Sequence, residues 1–271
     1  MEIGIIVPCH IKYFMQFDYL VKCLLSLRKQ TYQNIRIVVG ISFIGEKEYL
    51  FFKDIVFPIF KNKVKFVIQR TQTYQMIHIH HCFQKIQDCN LILFCDDDDY
   101  FIPNRVETFV KLKQENSDSK IIREIIPDHN EESEYWCYGL EPCVLKDFYE
   151  RTESSMYLLC HKFGDMYLRN FLLYTQKHGD ILSFTAKHPL YVYNTENEQS
   201  IIRTIKRKKE KLEKEGQIDY EELLDQYLLT IINNDYKKNN AIKEKKLIND
   251  EIINKCIKEK AIRDFCSKLY K

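Results

Sequence analysis

Five apolar residues, Leu91-Ile92-Leu93-Phe94-Cys95, run into four aspartates, Asp96-Asp97-Asp98-Asp99, with no spacer between them. An unbroken apolar run is the pattern of a strand covered on both faces, as in a parallel sheet; a half-exposed strand would alternate. The acids then fall at the strand's carboxyl end, where such sheets bind ligands. Four adjacent carboxylates repel one another and cost stability unless a cation or hydrogen-bond donors compensate them. Hard oxygen ligands at that position suit Mg2+ or Mn2+, and alternate loop residues, Asp96 and Asp98, can serve one site. The bland reading is a solvated acidic turn, the usual fate of a charge run.

The preceding ninety residues set the same rhythm. Ile3-Gly4-Ile5-Ile6-Val7-Pro8 is a β-branched run closed by Pro, and Ile35 to Val39 and Val64 to Ile68 are further buried-strand patterns. Between them lie helix-period segments, one with Tyr19, Leu20, Cys23, Leu24 and Leu27 on a face, another from Ile77 to Ile86. Alternating strand and helix predicts an α/β fold with a mostly parallel sheet and flanking helices. Pro8-Cys9-His10 then sits at a strand's carboxyl end, like the aspartates.

After Ser200 the composition shifts. Residues 201–216 are rich in Lys, Arg and Glu, and Asp219 with Glu222 resembles a capping box. Tyr220, Leu223, Leu224, Tyr227, Leu228, Ile231 and Ile232 follow at helical spacing, and Leu247 to Leu269 carries a last apolar stripe. The expectation is an α/β domain over 1–200 and a helical C-terminal extension over 201–271. Its apolar stripes would dock on the body or build a homodimer.

Charge and cysteine exclude several classes. The net charge of +2 carries no one-sign field that would advertise nucleic acid or an anionic membrane. The ten cysteines contain no C-x-x-C pair, so free thiols in a reducing compartment are expected. The N-terminus lacks the pattern of a signal peptide. No apolar run approaches the roughly 18–20 residues that cross a bilayer; Tyr49 to Phe60 is broken by Lys53, Asp54 and Pro58. These features point to a soluble, cytoplasmic protein. The bias to Ile, Lys, Asn, Tyr and Phe reads as the imprint of an A/T-rich genome, such as that of a large DNA virus, which would make the compartment host cytoplasm.

Three segments in order resemble the family 2 glycosyltransferases of the GT-A fold. Ile5-Ile6-Val7-Pro8-Cys9-His10 is similar to that family's opening strand. Cys23 to Ile35 resembles its first helix and turn, and Leu91 to Arg105 its D-x-D segment. The match is good over residues 3–110 and loose over 135–200. The resemblance implies an inverting, metal-dependent transfer of sugar from a nucleoside-diphosphate sugar, most often a UDP-sugar, to a glycan, glycoprotein or other hydroxyl acceptor. It places Asp96 near the nucleotide's ribose with Asp97 beside it, Asp98 on the Mn2+ or Mg2+ that bridges the phosphates, and Pro8 and His10 in the base pocket. Arg70 would be a further contact. Where the family usually carries Asp-Asp-Gly-Ser, this chain reads Val39-Gly40-Ile41-Ser42, leaving Ser42 but no acid for the base. Where the family has an Arg-Asn pair, this chain has His80-His81.

Gly164-Asp165 stands where the family's catalytic base does, while an N-cap Asp for a helix from Met166 is the structural alternative; Glu141 and Asp180 are the other candidate bases. Trp136 is either a platform for the acceptor sugar, with Glu141 nearby, or a core residue. His78, His80, His81 and Cys82 invite a zinc reading, yet no second pair of ligands completes a tetrahedral site. The rival classes are a catalytically inactive glycosyltransferase-like scaffold and an aspartyl-phosphate phosphatase, which also places D-x-D after a buried strand. The latter would want an acid where Arg169 stands.

Overall fold

A computed structural model describes residues 1–126, 134–152, 159–160, 164–175 and 180–194. The helical extension expected over 201–271 lies outside the described residues. Among the described residues the order is β1 (Ile3–Ile11), α1 (Gln16–Arg28), β2 (Ile35–Phe43), α2 (Glu46–Phe51), a π-helical turn (Phe52–Val56), α3 (Phe57–Phe60), β3 (Val64–Gln69), α4 (Gln75–Phe83) and β4 (Leu91–Phe94). Then come β5 (Tyr100–Phe101), α5 (Arg105–Glu115), β6 (Ile121–Glu124), a 3-10 turn (Tyr135–Cys137), β7 (Tyr138–Leu140), α6 (Pro142–Thr152), α7 (Gly164–Thr175), β8 (Ile181–Phe184) and β9 (Tyr191–Val192).

Seven strands form one sheet in the order β3-β2-β1-β4-β7-β6-β8, and β5 pairs with β9 apart from it. Only β7 runs against its neighbours in the large sheet. This is the mostly parallel, helix-flanked sheet of the GT-A fold. The four apolar residues of β4 are all fully buried, as an unbroken run requires. Alternation along β1 and β2 divides the helices. Phe43 meets Tyr49 of α2, while Ser42 meets His78 of α4. On the first face, α1 buries Phe17, Leu20, Cys23, Leu24 and Leu27, a stripe at helical spacing. Each such side chain is worth about 1.5–3 kcal/mol when fully buried.

β1 and β2 run longer than the sequence suggests. Pro8 does not close β1, which continues to Ile11 opposite Phe43. The Ile6 carbonyl accepts from the Cys95 N–H on the β4 side, so two residues on Pro8 faces that side too. There β4 has already ended at Phe94, and the missing N–H costs no ladder bond.

Gly139 in β7 is a packing requirement. A Cβ there would lie 2.7 Å from Phe109 Cδ1 and 2.9 Å from Leu93 Cδ2. Gly139→Ala should therefore destabilise by about 1–3 kcal/mol, the usual cost of overpacking a core. Chemical denaturation reads this directly, and unchanged stability would show that Phe109 yields freely.

One buried ion pair ties the second half of the sheet together. Arg105 at the start of α5 is wholly buried and donates through Nη1 to Glu124 Oε2 of β6, and through Nη2 to the Trp136 carbonyl at 2.8 Å. Glu124 Oε1 accepts from the Leu190 N–H at 2.6 Å. The guanidinium carbon lies 4.8–5.1 Å from the rings of Phe101, Phe109 and Tyr191. One cation thus joins four stretches of chain far apart in sequence.

Candidate active site

The strand order places the topological switch between β1 and β4, with β2 on one side and β7 on the other. Open α/β sheets bind ligands in the crevice beyond the carboxyl ends at such a point. The four aspartates follow β4 there, and His10 and Ser42, paired in register, end β1 and β2 beside them.

The acids form a turn in which they hold different positions. The Asp99 N–H donates to the Asp96 carbonyl at 3.2 Å, which puts Asp97 and Asp98 at the tip. Asp96 Oδ1 accepts from Gln75 Nε2 at 2.9 Å and from the Tyr135 hydroxyl. Asp99 is buried and accepts from the Tyr191 hydroxyl at 2.6 Å and the Asn194 N–H at 2.7 Å. Burial and the neighbouring carboxylates push Asp96 well above the usual carboxylate range, Asp97 up to about 8 and Asp99 up to about 7. Asp98 is half-buried at the tip.

This donor set fits a hard divalent cation, because positive charge would relieve the repulsion that raises those carboxyls. Among the described residues no three acidic, His or Cys side chains form a metal cage by themselves. That also fits the habit of Mg2+, which takes one or two carboxylates and completes its shell with substrate phosphates and water.

Asp165 lies near Tyr135, the hydroxyl that holds Asp96. It lies in the first turn of α7, which begins at Gly164, so it is inside the helix and not the cap before it. Backbone N–H groups and the helix dipole favour its anion. Burial, with Glu134 adding, outweighs them and lifts it to about 6. Its charge is felt at Tyr135, whose hydroxyl donates to Asp96, so Asp165 and the acid turn share one neighbourhood.

Glu141 and Asp180 lie elsewhere. Glu141 follows the antiparallel β7 and so sits at the amino end of β4, paired with Lys113 Nζ at 2.7 Å. Asp180 precedes β8, which runs parallel to β6, and lies at that same end, its carbonyl accepting from the Ile121 N–H. The structure does not bring either of them to the acid turn at the carboxyl end of β4. Trp136 is a core residue, 4% exposed, with its ring stacked on Tyr191 at 4.0 Å. The face a sugar would need is covered.

Pro8 lies beneath the crevice, wholly within β1. His10 Nδ1 lies 2.8 Å from Ser42 Oγ, and His78 Nε2 lies 2.9 Å from the same oxygen. Arg70 is separated from this group. Gln69 reaches His81 on the α4 face, whereas Arg70 stacks 4.2 Å over Tyr49 of α2 on the other face. The four candidate zinc ligands diverge as well: His78 to Ser42, His81 to Gln69, His80 onto the Tyr149 ring at 4.4 Å, and Cys82 into the core. The eight cysteines of the described residues are free thiols. No helix among the described residues is long and apolar enough to cross a membrane.

Comparison with known proteins gives a family and a fold. The model of "Glycosyl transferase family 2" matches residues 4–157, more than half of the chain. No curated protein matches significantly. Among solved structures, S. aureus TarS superposes with a TM-score of 0.54 at 15% identity, over 73% of this chain and 37% of that one. S. aureus TarS 1–349 in complex with UDP-GlcNAc gives 0.52 at 14% identity, over 74% of this chain and 60% of that one. The same fragment with UDP gives 0.52 at 14%, over 72% and 60%. The chain thus spans under two thirds of these relatives, and at such identities the likeness is one of fold.

Proposed function

The chain belongs to glycosyl transferase family 2, and from that premise we propose that it moves a sugar from a nucleoside-diphosphate sugar, a UDP-sugar in the first instance, to a hydroxyl of a glycan or glycoprotein acceptor with inversion. One juxtaposition supports this reading: a carboxylate turn at the sheet's switch point hydrogen-bonds Tyr135, and a separate half-buried carboxyl, Asp165, lies close enough to act on the same phenol. The UDP and UDP-GlcNAc held by TarS 1–349 support the choice of nucleotide.

Asp165 takes the proton of the acceptor hydroxyl as that oxygen attacks the anomeric carbon. The bond from sugar to diphosphate breaks on the opposite side, so a single displacement needs no covalent enzyme intermediate. A carboxyl lifted to about 6 is still ionised at neutral pH and is a stronger base than an ordinary aspartate. Asp98 would hold Mn2+ or Mg2+ with the donor's phosphates, and such an ion supplies positive charge against the departing diphosphate. Gln75 and Tyr135 hold Asp96 through hydrogen bonds to one of its carboxylate oxygens.

The test is thermal stabilisation by UDP with and without Mn2+. Binding to the native state at a hundredfold excess over Kd contributes about 2.7 kcal/mol. Asp98→Ala should lose the Mn2+-dependent part while its unliganded melting stays close to wild type. Undiminished stabilisation of the variant by UDP and Mn2+ would remove Asp98 from the site.

A further inference from the structure

The helical stretch from Glu46 to Phe60 is apolar on two sides. Phe52, Val56 and Phe60 are buried in the core. The residue before each of them, Phe51, Ile55 and Ile59, is 36–58% exposed, on the side where a surface helix normally carries polar groups. Phe14 and Met15, between β1 and α1, extend the patch at similar exposure, and the Phe14 and Phe51 rings lie 5.3 Å apart. Contiguous exposed apolar surface of this kind marks an interaction site.

Two observations say what covers it. The first is where the described body ends. β9 pairs with β5, and β5 lies along α1, with the Phe101 N–H donating to Ser26 Oγ at 3.1 Å. The Asn194 N–H then meets Asp99, beyond the carboxyl end of β4. The body therefore ends on the side of the sheet that carries α1, and at the end where α1 begins. Cys23 of α1 meets the Asp96 carbonyl at 3.5 Å. A rise of roughly 1.5 Å per residue puts Phe14 about 14 Å from Cys23. Residues 195–218 would span more than that distance even as continuous helix.

The second observation is charge. Between Phe51 and Lys63 the exposed charges are Lys53, Lys61 and Lys63 against Asp54 alone. Residues 219–235 carry Asp219, Glu221, Glu222, Asp225 and Asp235 and no Lys or Arg, beside the apolar stripe from Tyr220 to Ile232. A second copy of the patch would offer the same lysine-rich rim, whereas this segment offers the opposite charge.

We infer that residues 219–232 of this same chain dock on the patch of Phe14, Phe51, Ile55 and Ile59, with their apolar stripe on the exposed side chains and their acids toward Lys53, Lys61 and Lys63.

Carbodiimide coupling, which joins a contacting amine and carboxylate with loss of water, tests this on the full-length wild type in dilute solution. Peptide mapping should find Lys53, Lys61 or Lys63 joined to Glu221, Glu222 or Asp225 in species of single-chain mass. The Ile55→Asp/Ile59→Asp variant should lower that yield at least about tenfold, the least that losing two covered isoleucines would cost. Its β1 and β4 amides should keep their hydrogen-exchange protection, which reports an intact sheet. Absence of the cross-link in wild type, its appearance only at twice the chain's mass, or an unchanged yield in the variant overturns the inference. Sedimentation of wild type with phosphatidylserine vesicles in place of the cross-link would give the patch to a lipid surface and overturns it as well. The wild-type cross-link decides even where the variant does not fold, and each outcome leaves the glycosyltransferase reading untouched.

Discussion

Asp165→Asn is expected to cut sugar transfer by roughly 10²–10⁴ while leaving donor nucleotide affinity nearly unchanged, the usual worth of a positioned general base. The substitution keeps the size of the side chain and most of its hydrogen bonding in the first turn of α7, but removes the basic oxygen. Nucleotide and cation would be held by the strand ends of β1 and β4, which the substitution does not touch. If Asp165 served only the helix terminus, Asn would replace it with activity within a few-fold. Steady-state kinetics on the folded variant separates these outcomes by at least tenfold. The pH dependence gives a second reading. Burial lifts Asp165 to about 6, and the proposed base works as its anion, so wild-type turnover should fall as pH drops through about 6 and level off above it. The residual activity of the Asn variant should lack that limb. A near-normal turnover number in the variant would move the base away from Asp165.

Glu124→Ala should be among the most destabilising single changes in the described body, at about 3–5 kcal/mol. It leaves the Arg105 guanidinium buried without its carboxylate and orphans the Leu190 N–H. Arg105→Met should cost a similar amount for the reciprocal reason. The double variant Arg105→Met/Glu124→Leu should lose clearly less than the two single losses combined, because removing both charges also removes the desolvation burden of the pair. Equilibrium urea unfolding gives all three values. Strict additivity would show that the pair acts as two independent hydrogen-bond sets and not as a coupled ion pair.

The sheet was legible because β4 is continuous apolar chain and the helices around it carry clean stripes. Periodicity speaks directly to burial. It was less informative at the ends of β1 and β2. Pro8 looks like a terminator, and only the early end of the neighbouring β4 explains why it is tolerated. The acid turn was visible as four letters, but their division of labour was not, since it depends on Tyr135 and Tyr191, which arrive from 39 and 92 residues away. Trp136 could be read either way from its type alone; the stacked Tyr191 decides for the core. Residue type alone made Glu141 and Asp180 candidate bases; the reversed β7 carries Glu141 to the amino end of β4, and Asp180 precedes the parallel β8 at that same end. Gln75 and His78 left no signal as site residues, because a polar residue on a helix face gains its meaning from what the next strand places opposite. His78 was noticed only within a zinc pattern whose members turn away from one another.

Asp99 also bears on where this protein can be cut. Its two carboxylate oxygens are claimed by Tyr191 and by the backbone of Asn194, the last residue of the described body. The strand pair β5–β9 runs through the same stretch, from Tyr100 opposite Val192 to Phe101 opposite Tyr191. A chain shortened to end before residue 194 would strip the Asn194 N–H from the buried Asp99, and one that ended before Tyr191 would strip both partners, however intact the rest of the sheet remained. Loss of activity on such truncation would say nothing about the segment removed beyond it. Asn194 therefore sets the C-terminal limit for separating residues 201–271 from the described body, and comparisons of shorter with longer chains are interpretable only on its far side.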